Sequence, residues 1–126
     1  MTDLERIRLI CVRFPEAEES TLQDRPLFHV RRRRFAILNE ATAPYRKRWE
    51  GFGQSLHFMT DPAERPQLTR DQRLSVSPHH GFRGWMALDL DSEQTDWSEI
   101  SRLLASAYRT VAGKELVAEM DKAEGP

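Results

Sequence analysis

The stretch Gly84-Trp85-Met86-Ala87-Leu88-Asp89-Leu90-Asp91, with the run 96–114 behind it, decides the fold. Trp85, Ala87 and Asp89 alternate with Met86, Leu88 and Leu90, which is the two-residue period of a strand with apolar side chains on both faces. Behind it, Trp97, Ile100, Leu104, Ala107, Tyr108 and Val111 recur at three- and four-residue steps, so one stripe of a helix can cover that strand. Thr95 or Asp96 can cap the helix start by accepting from its free amides, and Gly113 sits where a left-handed residue would stop it.

Working upstream, residues 26–30 and 34–39 read as a hairpin and 55–60 as a third strand. Asp61 and Pro62 open a short helix, because proline at the first helical position lacks a donor that would go unused there, and Pro66 cuts it short. Two more strands follow at 73–77 and 84–90. At the amino terminus Leu4, Ile7, Cys11 and Phe14 share one helical face, Arg6, Arg8 and Arg13 occupy the others, and Pro15 closes the helix. Strands adjacent in sequence with short connections predict an antiparallel sheet, and three helices packed on its apolar face give an α+β domain. Leu4, Ile7, Cys11, Phe28, Val30, Phe58, Val76, Trp85, Ile100, Leu104 and Tyr108 are expected to share one core.

The strand that ends in acidic residues and leads to a helix containing Ser106-Ala107-Tyr108 resembles the end of the MmcQ/YjbR family of small bacterial proteins. The strands at 26–30 and 34–39 look like that family's first hairpin, and Asp61-Pro62-Ala63-Glu64-Arg65 resembles its Asp-Pro-Glu helix start. The similarity spans most of residues 3–114. It implies a YjbR-like, frataxin-like arrangement, no settled biochemical activity, and a suggested role in DNA binding through paired hairpin wings. The turn at 31–34 then lies at one wing tip. Where the family commonly has Gly with Lys, this chain has Arg31, Arg32, Arg33 and Arg34. Arginine does not take positive φ as glycine does, so the sequence leaves the geometry of this turn open.

Composition fits one domain over residues 1–126, with flexible tails at 1–3 and 121–126. The chain is 39% hydrophobic and 31% charged, which suits a globular protein rather than a wholly disordered one. No apolar run approaches the roughly 20 residues that span a bilayer, and the charged amino terminus lacks a signal peptide's apolar segment. A cytoplasmic protein without membrane contact is therefore expected. The single cysteine, Cys11, has no internal disulfide partner and fits a reducing compartment.

Charge is distributed unevenly within a chain of formal net charge -1. Between residues 31 and 48, Arg31, Arg32, Arg33, Arg34, Arg46, Lys47 and Arg48 are opposed only by Glu40, a balance of about +6. Acidic residues gather elsewhere, at Glu16, Glu18, Glu19 and Asp24 and again from Asp89 to Glu99. Cations so placed can neutralise phosphates, and Tyr45 and Trp49 flank Arg46, Lys47 and Arg48 as stacking surfaces. Arg31, Arg32, Arg33, Arg34, Tyr45, Arg46, Lys47, Arg48 and Trp49 are thus the candidate nucleic-acid-binding residues. The structural alternative is that the arginines form a solvated edge or pair with the acidic segments of the same chain. A protein-interaction or small-ligand adaptor is the second functional reading, with Trp49 in a loop made turn-prone by Gly51 and Gly53 as its anchor. Its partner would be a protein or small molecule rather than DNA.

Catalytic, metal and cofactor signals are weak. His79 and His80 are neighbours, which point to opposite faces of a regular strand, and His29 and His57 are isolated in sequence, so no metal is expected. His80 and Arg83 are better placed for a phosphate or peptide contact. Ser75 and Ser77 near His79 lack a nucleophile-elbow pattern, Asp89 and Asp91 read as strand end and helix approach, and Cys11 lies on an apolar stripe. With no phosphate-binding glycine loop, the chain reads as a non-enzyme without a cofactor.

Overall fold

Residues flanked by apolar side chains on both faces belong inside a sheet, and that is where the 84–90 segment lies. In the computed structural model, which describes residues 2–22, 25–39, 54–70, 74–76, 84–90 and 95–123, Trp85–Asp89 (β6) pairs antiparallel with Ser55–Met59 (β4) and Leu74–Val76 (β5). Beyond β4 the sheet continues through Arg33–Asn39 (β3) and Arg25–Val30 (β2) to Ala17–Leu22 (β1). Among the described residues the order is β1-β2-β3-β4-β6-β5, with every pair antiparallel.

Strand β1 lies outside the sequence expectation. Its Ala-Glu-Glu-Ser-Thr-Leu carries no apolar alternation and its four central residues are exposed, so backbone pairing to β2 places it rather than burial. A charged strand at the sheet rim also discourages further strands from adding there.

The helices are α1 (Asp3–Cys11), α2 (Arg65–Leu68), α3 (Trp97–Ala112) and α4 (Lys114–Ala123). Thr2 and Glu5 form a reciprocal capping box on α1. Of the two candidate caps for α3, Asp96 makes the bonds, accepting from the amides of Ser98 and Glu99 at 2.9 and 3.4 Å. Gly113 ends α3 with φ 90°, and α4 begins at the next residue, so helix continues to Ala123 where a tail was expected from 121. The short helix also starts later than Pro62. Residues 61–64 form a turn in which Asp61 accepts from the Ala63 amide, and Pro66 lies in the first turn of α2, where its missing N–H costs nothing.

Alternation along the strands then sorts the side chains. Phe28, Val30, Phe58, Met86 and Leu88 face the helices and share one buried cluster with Ile7, Cys11, Ile100, Leu104, Tyr108 and Leu116, while Leu4 packs partly buried against it. Each large aliphatic or aromatic side chain in it contributes about 1.5–3 kcal/mol. Tyr108 is the hub: its ring lies edge-on to Phe35 with centroids 5.8 Å apart, and 5.0 Å from Phe14. Trp85 departs from the expected common core. One position from Met86 on the strand, it belongs instead to a small separate cluster with Leu27 and Ile37. Among the described residues no helix is long and apolar enough to cross a membrane.

Candidate anion-binding site

Val30 and Arg33 are Cα partners across the β2–β3 hairpin, which leaves Arg31 and Arg32 as its two central residues. Their φ values are 47° and 72°. Both positive is the type I′ geometry that Asn and Gly ordinarily supply, so the turn keeps a glycine-type shape with arginine at both central positions. A two-residue connection between right-twisted strands imposes this, and ladder pairing offsets the cost, about 1–2 kcal/mol for each left-handed residue with a Cβ.

Glu16, just before β1, is also left-handed at φ 59°. Its carboxylate accepts both guanidinium bonds of Arg31, from Nε at 3.1 Å and Nη2 at 2.8 Å. Two strained residues are thereby clamped in the bidentate geometry that favours Arg over Lys. The hydrogen bonds from Arg31 hold the Glu16 carboxyl below its ordinary 4.5, and Glu16 in turn raises Arg31.

A bulge between Phe28 and His29 shifts the register, so that Arg34 pairs with His29 while Phe35 and Ala36 in succession enter the core. Arg33 reaches α3, where its Nη1 donates to the Val111 carbonyl at 2.9 Å. That carbonyl belongs to the last helical turn and lacks an intrahelical donor, and a cation there also opposes the negative helix end. Arg32 and Arg34 are both exposed. Among the described residues neither side chain has a hydrogen-bond or ion-pair partner.

The hairpin borders a cavity of about 580 Å³ lined by Arg32, Arg33, Arg34, Ile37, Met59 and Trp85, together with the end of α3. Among the described residues no Asp or Glu lines it. A second cavity, of about 290 Å³, adjoins the α3–α4 junction between Arg31, Arg33 and Lys114, with Glu115 at its border. The end of α3 and the ring of Trp85 are parts of the site that the sequence does not announce, because the contacts run between segments far apart in the chain.

The remaining candidates separate clearly. Tyr45, Arg46, Lys47, Arg48 and Trp49 lie outside the described residues, as do His79, His80, Arg83 and Asp91. Cys11 is 2% exposed, and burial with a smaller effect of Glu19 pushes its thiol up to about 12, which makes it a poor nucleophile. Among the described residues no group of three or more His, Cys, Asp or Glu is placed to hold a metal. His57 is not isolated in space. The two-residue strand period puts it beside Ser55, with Oγ 3.0 Å from its Nε2, and that spacing was the available signal. Ser55 is 1% exposed, so this pair bonds within the sheet and presents no hydroxyl at the surface.

Residues 12–110 match the family model described as YjbR. The fold is similar to the crystal structure of a Deinococcus radiodurans protein with the DUF419 domain, with a TM-score of 0.72 and 21% identity, covering 100% of this chain and 91% of that one. At that identity the likeness concerns the fold. No curated protein matches the chain.

Proposed function

The chain belongs to the YjbR family, and on that premise we propose that it binds nucleic acid, with the β2–β3 turn meeting the phosphate backbone. The observation that carries this is a division of roles among neighbouring arginines. Arg31 and Arg33 are held by Glu16 and by the Val111 carbonyl, while Arg32 and Arg34 are exposed beside them without partners among the described residues. Cations held on a braced turn lose less freedom on binding than cations on a loose loop. The formal net charge of -1 does not oppose this, because phosphate contacts depend on local charge and counterion release. In this reading Tyr45, Arg46, Lys47, Arg48 and Trp49, which lie outside the described residues, add cations for phosphate and two aromatic side chains of the kind that stack on bases. The protein in this reading is a cytoplasmic binding module rather than an enzyme, and the burial of Cys11 removes one candidate nucleophile.

Salt dependence of duplex DNA affinity tests the proposal. Contacts from Arg32 and Arg34 alone give a slope of log affinity against log salt near about -1.8, and the addition of Arg46, Lys47 and Arg48 brings it to about -4.5. Alanine at Arg32 and Arg34 together makes the slope shallower by about two units. Arg33→Ala, by contrast, acts mainly on stability through the Val111 bond. A folded protein with no measurable affinity for DNA or RNA at low salt ends this reading.

A further inference from the structure

The cavity beside the turn has a chemistry of its own. At about 580 Å³ it falls within the range of about 300–1,000 Å³ typical of small-molecule sites. Three consecutive arginines border it, no carboxylate belongs to its lining among the described residues, and Ile37, Met59 and Trp85 supply an apolar surface in the same space. Trp85 is 5% exposed and Ile37 4%, so both are held in the packed body and present only an edge to the cavity, beside the half-buried Met59. Arg33 is anchored by the Val111 carbonyl, which sets the hairpin against the end of α3 and keeps the cavity's borders in register.

A ligand matching both parts must carry an anion that a guanidinium fork can grip and a flat or apolar body. We propose that this cavity binds a nucleoside phosphate monoester, with the phosphate on Arg32 and Arg34 and the base against Trp85, Met59 and Ile37. The planar fork of arginine matches phosphate oxygens in pairs, and the ring and thioether accept a base face without requiring a particular sequence. The same chemistry is offered by a free mononucleotide and by the phosphorylated terminal nucleotide of a strand. The proposal thus deepens the nucleic-acid reading of this hairpin, adding recognition of one nucleotide to contact with a backbone.

The test is calorimetric titration of the full chain at low salt with adenosine 5′-monophosphate, inorganic phosphate, and a short single strand with and without a 5′-phosphate. Trp85 is followed by its indole N–H resonance, identified by its loss in Trp85→Phe. The expected result is one-to-one binding of the mononucleotide at least tenfold tighter than inorganic phosphate, with a shift of the Trp85 resonance. Arg32→Ala and Arg34→Ala, both at exposed positions, each weaken binding at least fivefold without unfolding the protein. A 5′-phosphorylated strand that outcompetes the mononucleotide assigns the site to strand ends, and equal affinity assigns it to the free nucleotide. Equal binding of phosphate and mononucleotide overturns the proposal, and so does binding that leaves the Trp85 resonance unmoved. Duplex affinity with a steep salt slope but no mononucleotide binding sinks the cavity site and spares the backbone reading. Mononucleotide binding without duplex affinity does the reverse.

Discussion

At the scale of single residues, the turn sets function against conformational ease. Arg32 has φ 72°, and Arg32→Gly relieves the left-handed strain, raising stability by about 1 kcal/mol in urea unfolding. The same change removes a cation from the cavity border, so anion binding falls as stability rises. A variant that loses stability would show that the arginine side chain contributes packing the structure does not reveal. Cys11 gives a second residue-level expectation. Its thiol holds a proton more tightly in the fold, at about 12 against an ordinary 9.0, so its stabilising contribution is complete below about pH 9 and declines as pH rises toward 12. The decline is roughly 1.4 kcal/mol per pH unit while the fold stays intact. Cys11→Ala, about 1 kcal/mol less stable at neutral pH, should show a flatter stability profile in that window. Rapid labelling of wild-type Cys11 by a thiol reagent at pH 8 under native conditions would contradict this.

At the scale of elements, the residues that carried the family resemblance prove to be ties between segments. Ser106 and Tyr108 lie two apart on α3, yet the Ser106 hydroxyl bonds Glu64 before α2 at 3.0 Å and the Tyr108 hydroxyl donates to the Pro15 carbonyl at 2.7 Å. Helix α3 therefore pins both the end of the α1 segment and the approach to α2. Tyr108→Phe keeps the ring stack with Phe14 and Phe35 but leaves the Pro15 carbonyl without that donor, and thermal unfolding should report a loss of about 1–2 kcal/mol. No loss would mean that water replaces the hydroxyl fully. Apolar period made α3, β4 and β6 legible in the sequence, since Leu104, Phe58 and Leu88 each declare a buried face. β1 was not legible, because residues such as Glu18 and Glu19 are held by a neighbour's backbone, which leaves no mark on composition. The α3–α4 break needed only Gly113 as a signal, but a glycine stop looks the same whether coil or another helix follows. The turn was left open for a related reason: the strands on either side dictate φ at Arg31 and Arg32, overriding their own preference.

At the scale of the whole molecule, the question is whether binding follows net charge or its placement. The four arginines were legible as a basic run, but the sequence could not show that two are spent on Glu16 and Val111, since both contacts depend on the folded arrangement. A pair of charge reversals separates the two possibilities. Arg32→Glu with Arg34→Glu takes the formal net charge from -1 to about -5, and Arg102→Glu with Arg6→Glu does the same. Arg102 and Arg6 are exposed on α3 and α1. Arg102 lies roughly 14 Å along the helix axis from Val111, beyond a Debye length at physiological salt, and Arg6 lies over the Trp97 ring at the opposite end of α3 from Val111. If the turn is the site, the hairpin reversal abolishes duplex and mononucleotide binding at moderate salt, whereas the helix reversal leaves affinity within about threefold. Equal losses from both pairs would mean that the molecule responds to its total charge, and the arginine turn would then be a solvated edge kept soluble by its cations. The comparison is best made at two salt concentrations, because screening suppresses the remote pair's effect faster than it suppresses a direct guanidinium–phosphate contact.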